Sequence, residues 1–183
     1  MVLIDKFNKE QVLVKLIFFV FIFICLGYLG CASSKIHIIK GPQTSRNIER
    51  IAVSMQSGVL GEALIRELNK QKFNVIDMVE LYYLLERNSL KEIDVDDPKS
   101  LFKLYELNKI DTYIDSKTKF TITGHPENAS IVVYNTRTGD ISISLVWENG
   151  WGGAPGSPAD YNAKKNTDEA ATEIVGGIIK YLK

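Results

Sequence analysis

One cysteine thiol in this chain stands where chemistry is expected. Residues 16–29 are fourteen positions without a charge, among them Ile17, Phe18, Phe19, Val20, Phe21, Ile22, Phe23 and Ile24. Lys15 precedes them, and Gly30, Cys31, Ala32, Ser33 and Ser34 follow. A charged leader, a short apolar run and a small residue at the cleavage point make a bacterial secretory signal. The Gly30-Cys31 ending has the form of a lipobox, in which Cys31 takes lipid and becomes the new N-terminus. Tyr28 stands where Leu is usual, as in relaxed lipoboxes. A spanning helix wants about 20 apolar residues, so an uncleaved anchor is the weaker alternative, with simple secretion beside it. Cys25 is a poor rival acceptor, because Ile24 before it is too large for the cleavage site. With Cys25 lost in the signal and Cys31 consumed, no disulfide and no cysteine-based metal site remains.

Other reactive patterns fall short. His37 and His125 are isolated from each other in sequence and have no cysteine near them, so both are read as solvent-exposed. Residues 54–58 follow the first strand and precede a helix, where phosphate can bind. They hold one Gly and no Lys, which matches neither phosphate-loop fingerprint. Asp94, Asp96 and Asp97 lack the Gly and terminal Glu of a calcium loop, and read as a solvated acidic break. There is no Gly-x-Ser-x-Gly elbow and no Ser/His/Asp set with a reason to converge. No catalytic residue, metal or cofactor is expected, and the chain is read as a non-enzyme.

Charge excludes a further class. The chain has 22 basic and 22 acidic residues. A near-neutral domain has no electrostatic footprint for nucleic acid and no polybasic membrane surface. Membrane attachment would come from the lipid on Cys31 alone, and more than one acyl chain is what stable anchoring needs.

These residues imply three parts: a signal over 1–30, a flexible tether over 31–47 and one α/β domain over 48–183, which is near the common domain size. The tether carries Ser33, Ser34, Gly41, Pro42, Thr44 and Ser45. Its apolar patch at 36–39 has an edge strand as the alternative reading. Ile51-Ala52-Val53 reads as a short strand. Ser57 reads as the cap of a helix to about Lys70, whose Leu60, Ala63, Leu64 and Leu68 share one face. Residues 73–76 read as a second strand. Asp77 can cap the next helix, with Glu80 placed to reach back, and Leu81, Leu84 and Leu85 point inward. That order implies a parallel, right-handed βαβ unit. Asp97-Pro98 starts a third helix. Ile114, Ser116, Thr118, Phe120 and Ile122 then alternate with Asp115, Lys117 and Lys119, a strand wet on one side. Residues 131–135 and 141–148 flank a turn in which Gly139 supplies positive φ, a hairpin. A last helix starts near Asn166 or Thr167 and buries Ala171, Ile174, Val175, Ile178 and Leu182. The expected fold is a mixed sheet of about five strands with helices packed on it.

Four stretches in this order carry a resemblance: Ile51-Ala52-Val53, Phe73-Asn74-Val75-Ile76-Asp77, Leu81 to Arg87, and Thr138-Gly139-Asp140-Ile141. The chain resembles the superfamily of the curli-secretion lipoprotein CsgG, the penicillin-binding-protein activator LpoB and the N-terminal domain of TolB. The resemblance covers about residues 48–183. It implies an envelope lipoprotein, anchored at the outer membrane and facing the periplasm, that regulates or scaffolds a protein machine. A subunit of a secretion or assembly ring, and hence a homo-oligomer, is one alternative. Apart from the resemblance, a small-ligand or glycan binder using the 149–161 loop is a further reading. The chain is too short for the two membrane-spanning hairpins of the curli pore.

One segment is singled out for partner binding: Gly150, Trp151, Gly152 and Gly153, with Tyr161 behind them. A Trp among glycines has little helix or strand to fix it, and an exposed Trp is the type that anchors interfaces. The alternative is that Trp151 folds back over the sheet edge. Trp151→Ala separates the two. A surface anchor leaves the melting temperature nearly unchanged and weakens partner capture, whereas a structural Trp costs roughly 3–5 kcal/mol in thermal unfolding.

Overall fold

Ile51, Ala52 and Val53 are wholly buried, and the fold is built outward from them. The computed structural model describes residues 34–41, 48–150, 153–154 and 156–182. In chain order the elements are β1 (Lys35–Lys40), β2 (Ile51–Val53), a 3-10 turn (Met55–Ser57), α1 (Gly58–Lys70), β3 (Val75–Ile76), α2 (Met78–Arg87), α3 (Pro98–Asn108), β4 (Thr112–Phe120), β5 (Pro126–Asn135), β6 (Ile141–Glu148), α4 (Pro158–Ala163) and α5 (Thr167–Leu182). The strands form one mixed, open sheet in the order β1-β6-β5-β4-β2-β3. β2 pairs parallel with β3 and β4, as the βαβ spacing implies. The pairs β4–β5, β5–β6 and β1–β6 are antiparallel. The chain is an α/β protein with helices on both faces of the sheet.

The sixth strand is β1, in the stretch expected to be tether. Its side chains alternate, as a half-buried edge strand requires. Ile36 sits opposite Trp147 and packs on the core, while Lys35 and His37 face outward. A register shift between Ile38 and Lys40 then leaves Ile39 69% exposed. The apolar patch at 36–39 therefore belongs to the sheet, and the edge-strand alternative holds.

Two cores lie on the two faces. On one, α1 and α5 cover Ile51, Val53, Ile114, Ile131, Val133, Leu145 and Trp147. On the other, Leu81 and Leu85 of α2 and Leu101 and Leu104 of α3 meet Ala52, Ile76, Tyr113 and Tyr134. Tyr113 corrects the expectation that β4 is wet along one side. That face is dry where α2 and α3 cover it and becomes exposed only further on, at Lys117 and Lys119. Burial pushes the Tyr113 hydroxyl up to about 12, against the opposing hydrogen bond with Ser54. Ile122 is a second correction: it lies past the end of β4, in the turn to β5, and is 89% exposed.

The helix caps follow the sequence in part. Asp77 accepts the Glu80 N–H at 2.7 Å, but the Glu80 carboxylate takes Arg50 at 2.7 Å instead of returning to the cap. Asp97 accepts the Lys99 N–H at 3.0 Å, with Pro98 at the first helical position. Ser57 does not cap α1 through its side chain. Its hydroxyl accepts the Ser116 N–H at 3.0 Å and ties the start of α1 to β4. Gly139 has φ +77° in the β5–β6 turn, and a side chain there would strike Pro98.

Gly176 and Gly177 sit side by side in α5 but face different surroundings. A Cβ on Gly176 meets open space, while one on Gly177 comes within 3.4 Å of Ile36 Cδ1. Gly in a helix interior costs about 0.5–1 kcal/mol relative to Ala. Gly176→Ala should therefore stabilise by about that amount. Gly177→Ala should gain at least as much, because its methyl would meet Ile36 and Leu145 at 3.4–4.0 Å, ordinary packing distances. Denaturant midpoints of the two variants compare them directly.

Candidate functional site

The start of β1 is fastened by one carboxylate. Glu173 Oε2, on α5, accepts the Trp147 Nε1–H at 2.8 Å and the Ser34 hydroxyl at 2.5 Å. Lys165 forms an ion pair with Glu173 Oε1 and donates to Ser34 Oγ at 2.9 Å. Four points of the chain thus converge: the residue before β1, the end of β6, the lead-in to α5 and α5 itself. Burial opposes the charge on Glu173, but the donors from Lys165, Ser34 and Trp147 outweigh it and hold the carboxyl below its usual range.

The segment after β6, where little helix or strand is expected around Trp151, contains the short helix α4 and is closely bonded. Asn149 donates from Nδ2 to the carbonyls of Pro126 and Lys165, at 2.8 and 2.9 Å, and accepts the Lys165 N–H at 3.1 Å. Asp160 is fully buried. It accepts the Gly156 N–H at 3.0 Å and pairs with Lys164 at 2.5 Å, which together hold its carboxyl below the usual range. Ser157 caps α4 by accepting the Asp160 N–H at 3.2 Å. Of the residues singled out for binding, Gly150 is buried and Gly153 has φ +105°. Trp151, Gly152 and the side chain of Tyr161 lie outside the described residues, as does Cys31.

The two histidines and the acidic break have local surroundings. His37 Nε2 lies 3.9 Å from Glu148 on the neighbouring strand. His125 closes the β4–β5 turn, its carbonyl accepting the Thr121 N–H at 2.8 Å. Asp94 accepts the Asp96 N–H at 3.0 Å within its own loop.

The exposed apolar surface that sequence reading missed lies on α2. Leu81 and Leu85 face the core, whereas Val79, Tyr82 and Tyr83 are 63%, 48% and 50% exposed. The two tyrosine rings meet edge to face with centroids 5.5 Å apart. Tyr83 lines a groove of about 500 Å³ with Val79, Arg87 and Asn108. Tyr82 lines a second, of about 390 Å³, with Leu90 and Lys91. The available signal was the run Val79-Glu80-Leu81-Tyr82-Tyr83, which puts three large apolar or amphipathic residues outside the inner stripe of the helix. Inner-face periodicity alone passes over them.

No family model matches the chain, and no curated protein matches it. Among solved structures, it is similar to the PelC dodecamer from Paraburkholderia phytofirmans, at 11% identity and a TM-score of 0.45, over 82% of this chain and 97% of that one. It is also similar to the lipoprotein GNA1162 from Neisseria meningitidis, at 11% identity and a TM-score of 0.45, over 74% of this chain and 99% of that one.

Because the folded-state pKa of Glu173 is depressed, its contribution is present above the unfolded value near 4.5 and is lost as pH falls through the lower folded value. Glu173→Gln should cost roughly 1.5–3 kcal/mol at neutral pH, the range for hydrogen bonds to a charged group. It should also flatten the acid limb of stability below about pH 4.5. Chemical denaturation of both proteins at pH 7 and in the acid range reads both effects.

Proposed function

We propose that this protein is a lipid-anchored accessory protein of a bacterial cell envelope that acts by binding another envelope protein and carries out no catalysis. The anchoring half of this reading rests on the apolar run ending in Gly30-Cys31. Its finer form, an outer-membrane lipoprotein facing the periplasm that regulates or scaffolds a wall-building or secretion machine, rests on the sequence resemblance.

The observation that carries the binding half is the α2 surface. Large apolar side chains scattered singly on a surface are ordinary. Here Val79, Tyr82 and Tyr83 lie together on one short helix, with a groove on either side. Tyrosine is enriched at binding hot spots because a rigid ring buries much area at small entropic cost, while its hydroxyl finds a polar partner. The α2 surface also lies on the β3 side of the sheet, across six strands from β1. At about 4.8 Å per strand the two edges are roughly 24 Å apart, so the α2 surface lies well away from the strand that follows Cys31 in the chain.

Two variants test the halves separately. Cys31→Ala should leave the protein unprocessed or release it from membranes. Normal membrane retention of a cleaved Cys31→Ala protein would rule lipidation out. A Tyr82→Ser, Tyr83→Ser double variant should melt within about 1 kcal/mol of the parent, as exposed substitutions do. It should also lose the partner identified by crosslinking the parent in its native envelope. Retention of that partner at full yield would remove α2 as the docking surface.

A further inference from the structure

One pole of the sheet combines two features that do not depend on each other. The first is the chain's route into the fold. Ser34, three residues after Cys31 in the sequence, is bonded to Glu173 and Lys165, and Lys35 begins β1. Three extended residues span at most about 10–11 Å. If Cys31 is lipidated, the supposed tether shrinks to that short leash, and the pole that carries Ser34 is held against the headgroups.

The second feature is the tip of the β4–β5 hairpin. Strand register places Lys35 opposite Glu148, Glu148 opposite Asn128, and Asn128 opposite Lys119. Ser34 and the far end of β4 therefore lie at the same pole, three strand spacings or about 14 Å apart. Just past Lys119 the chain turns through Phe120 and residues 121–125. Ile122 is 89% exposed and Phe120 39% exposed there. The turn is firmly built. Thr121 N–H donates to the His125 carbonyl at 2.8 Å, Gly124 N–H donates to the Thr121 carbonyl at 3.0 Å, and Gly124 has φ +81°. The Thr121 and Thr123 hydroxyls bond each other at 2.8 Å. The backbone and hydroxyl groups around Ile122 are thus partly satisfied within the turn, which lowers the cost of moving it into a less polar medium. Lys117 and the Lys119–Glu127 pair, at 2.7 Å, stand behind the tip.

We infer that the β4–β5 turn is a membrane-contacting finger, with Ile122 and Phe120 entering the lipid interface. The inference rests on the anchoring reading above for the leash and on the hairpin itself for the contact. Exposed charged stems behind an apolar tip suit an interfacial position, where apolar atoms enter the acyl boundary and the charges remain among the headgroups. The occupant is a phospholipid surface. Charge plays a small part, because Glu127 and Glu148 stand beside the lysines of this pole.

The test uses the full-length chain, expressed with lipoprotein processing and reconstituted in phosphatidylethanolamine–phosphatidylglycerol vesicles. A diazirine amino acid is placed at position 122 or, at the opposite pole, at position 138 in the β5–β6 turn. After photolysis, lipid adducts are counted by mass spectrometry. The inference expects several-fold more adduct at 122 than at 138. Equal yields, or more at 138, would overturn it. Intact mass of the same samples reads acylation of Cys31 independently. A vesicle-bound chain without lipid on Cys31 that still crosslinks at 122 defeats the anchoring reading and keeps the finger. An acylated chain that fails to crosslink at 122 does the reverse. Ile122→Ser provides a control for folding, since loss of so exposed a side chain should leave the melting temperature unchanged.

Discussion

Burial of β2 on both faces is the constraint on which the rest of the fold depends. Its three residues are wholly buried and point alternately into two separate cores, Ile51 and Val53 to one and Ala52 to the other. A strand so short offers few ladder hydrogen bonds, so its place is secured by packing and by parallel neighbours on both sides. Parallel strands need helical crossovers, and those helices must cover a face. α1 and α2 follow from that need, on opposite faces. The antiparallel half of the sheet is less demanding and can leave one face open beyond the reach of α2 and α3.

Most of this order was legible because its signals are local. Alternation in β6, the Asp77 and Asp97 caps and the Gly139 turn each announce themselves within a few residues. β1 was harder. Its apolar patch is flanked by Gly41, Pro42 and Ser33, which read as linker, and what fixes it is distant: Trp147, Leu145 and Gly177 supply its partners. The same holds for Ser57, whose cap signature was sound but whose hydroxyl was taken by Ser116 on β4. Ile122 continued the alternation of β4 by residue type, yet the chain had already turned. The α2 surface escaped for a different reason. A pattern search keeps the residues that fit the core stripe, and Val79, Tyr82 and Tyr83 are defined by not fitting it.

Glu173 shows how a polar group can organise an apolar edge. Trp147 is the largest fully buried side chain among the described residues, and its indole N–H must be answered. The carboxylate that answers it also takes Ser34 and Lys165. A group introduced to satisfy one buried donor thereby fixes where the polypeptide enters the sheet. The entry point of the chain and the tyrosine-bearing helix end up at opposite edges of the sheet.

The pairing of β1 with β6 has a consequence in time. The first strand of the sheet finds its partner among residues near the end of the chain, Lys35 opposite Glu148. Contacts between distant positions carry a loop-closure cost and form slowly. Synthesis from the N-terminus delivers β1 long before β6. Until the C-terminal residues follow, β1 has no ladder to join, and once β6 arrives its own outer edge is briefly an open template for foreign strands. Closure of that edge is therefore the step that completes the sheet, and the interval before it is when the growing chain is most open to strand exchange.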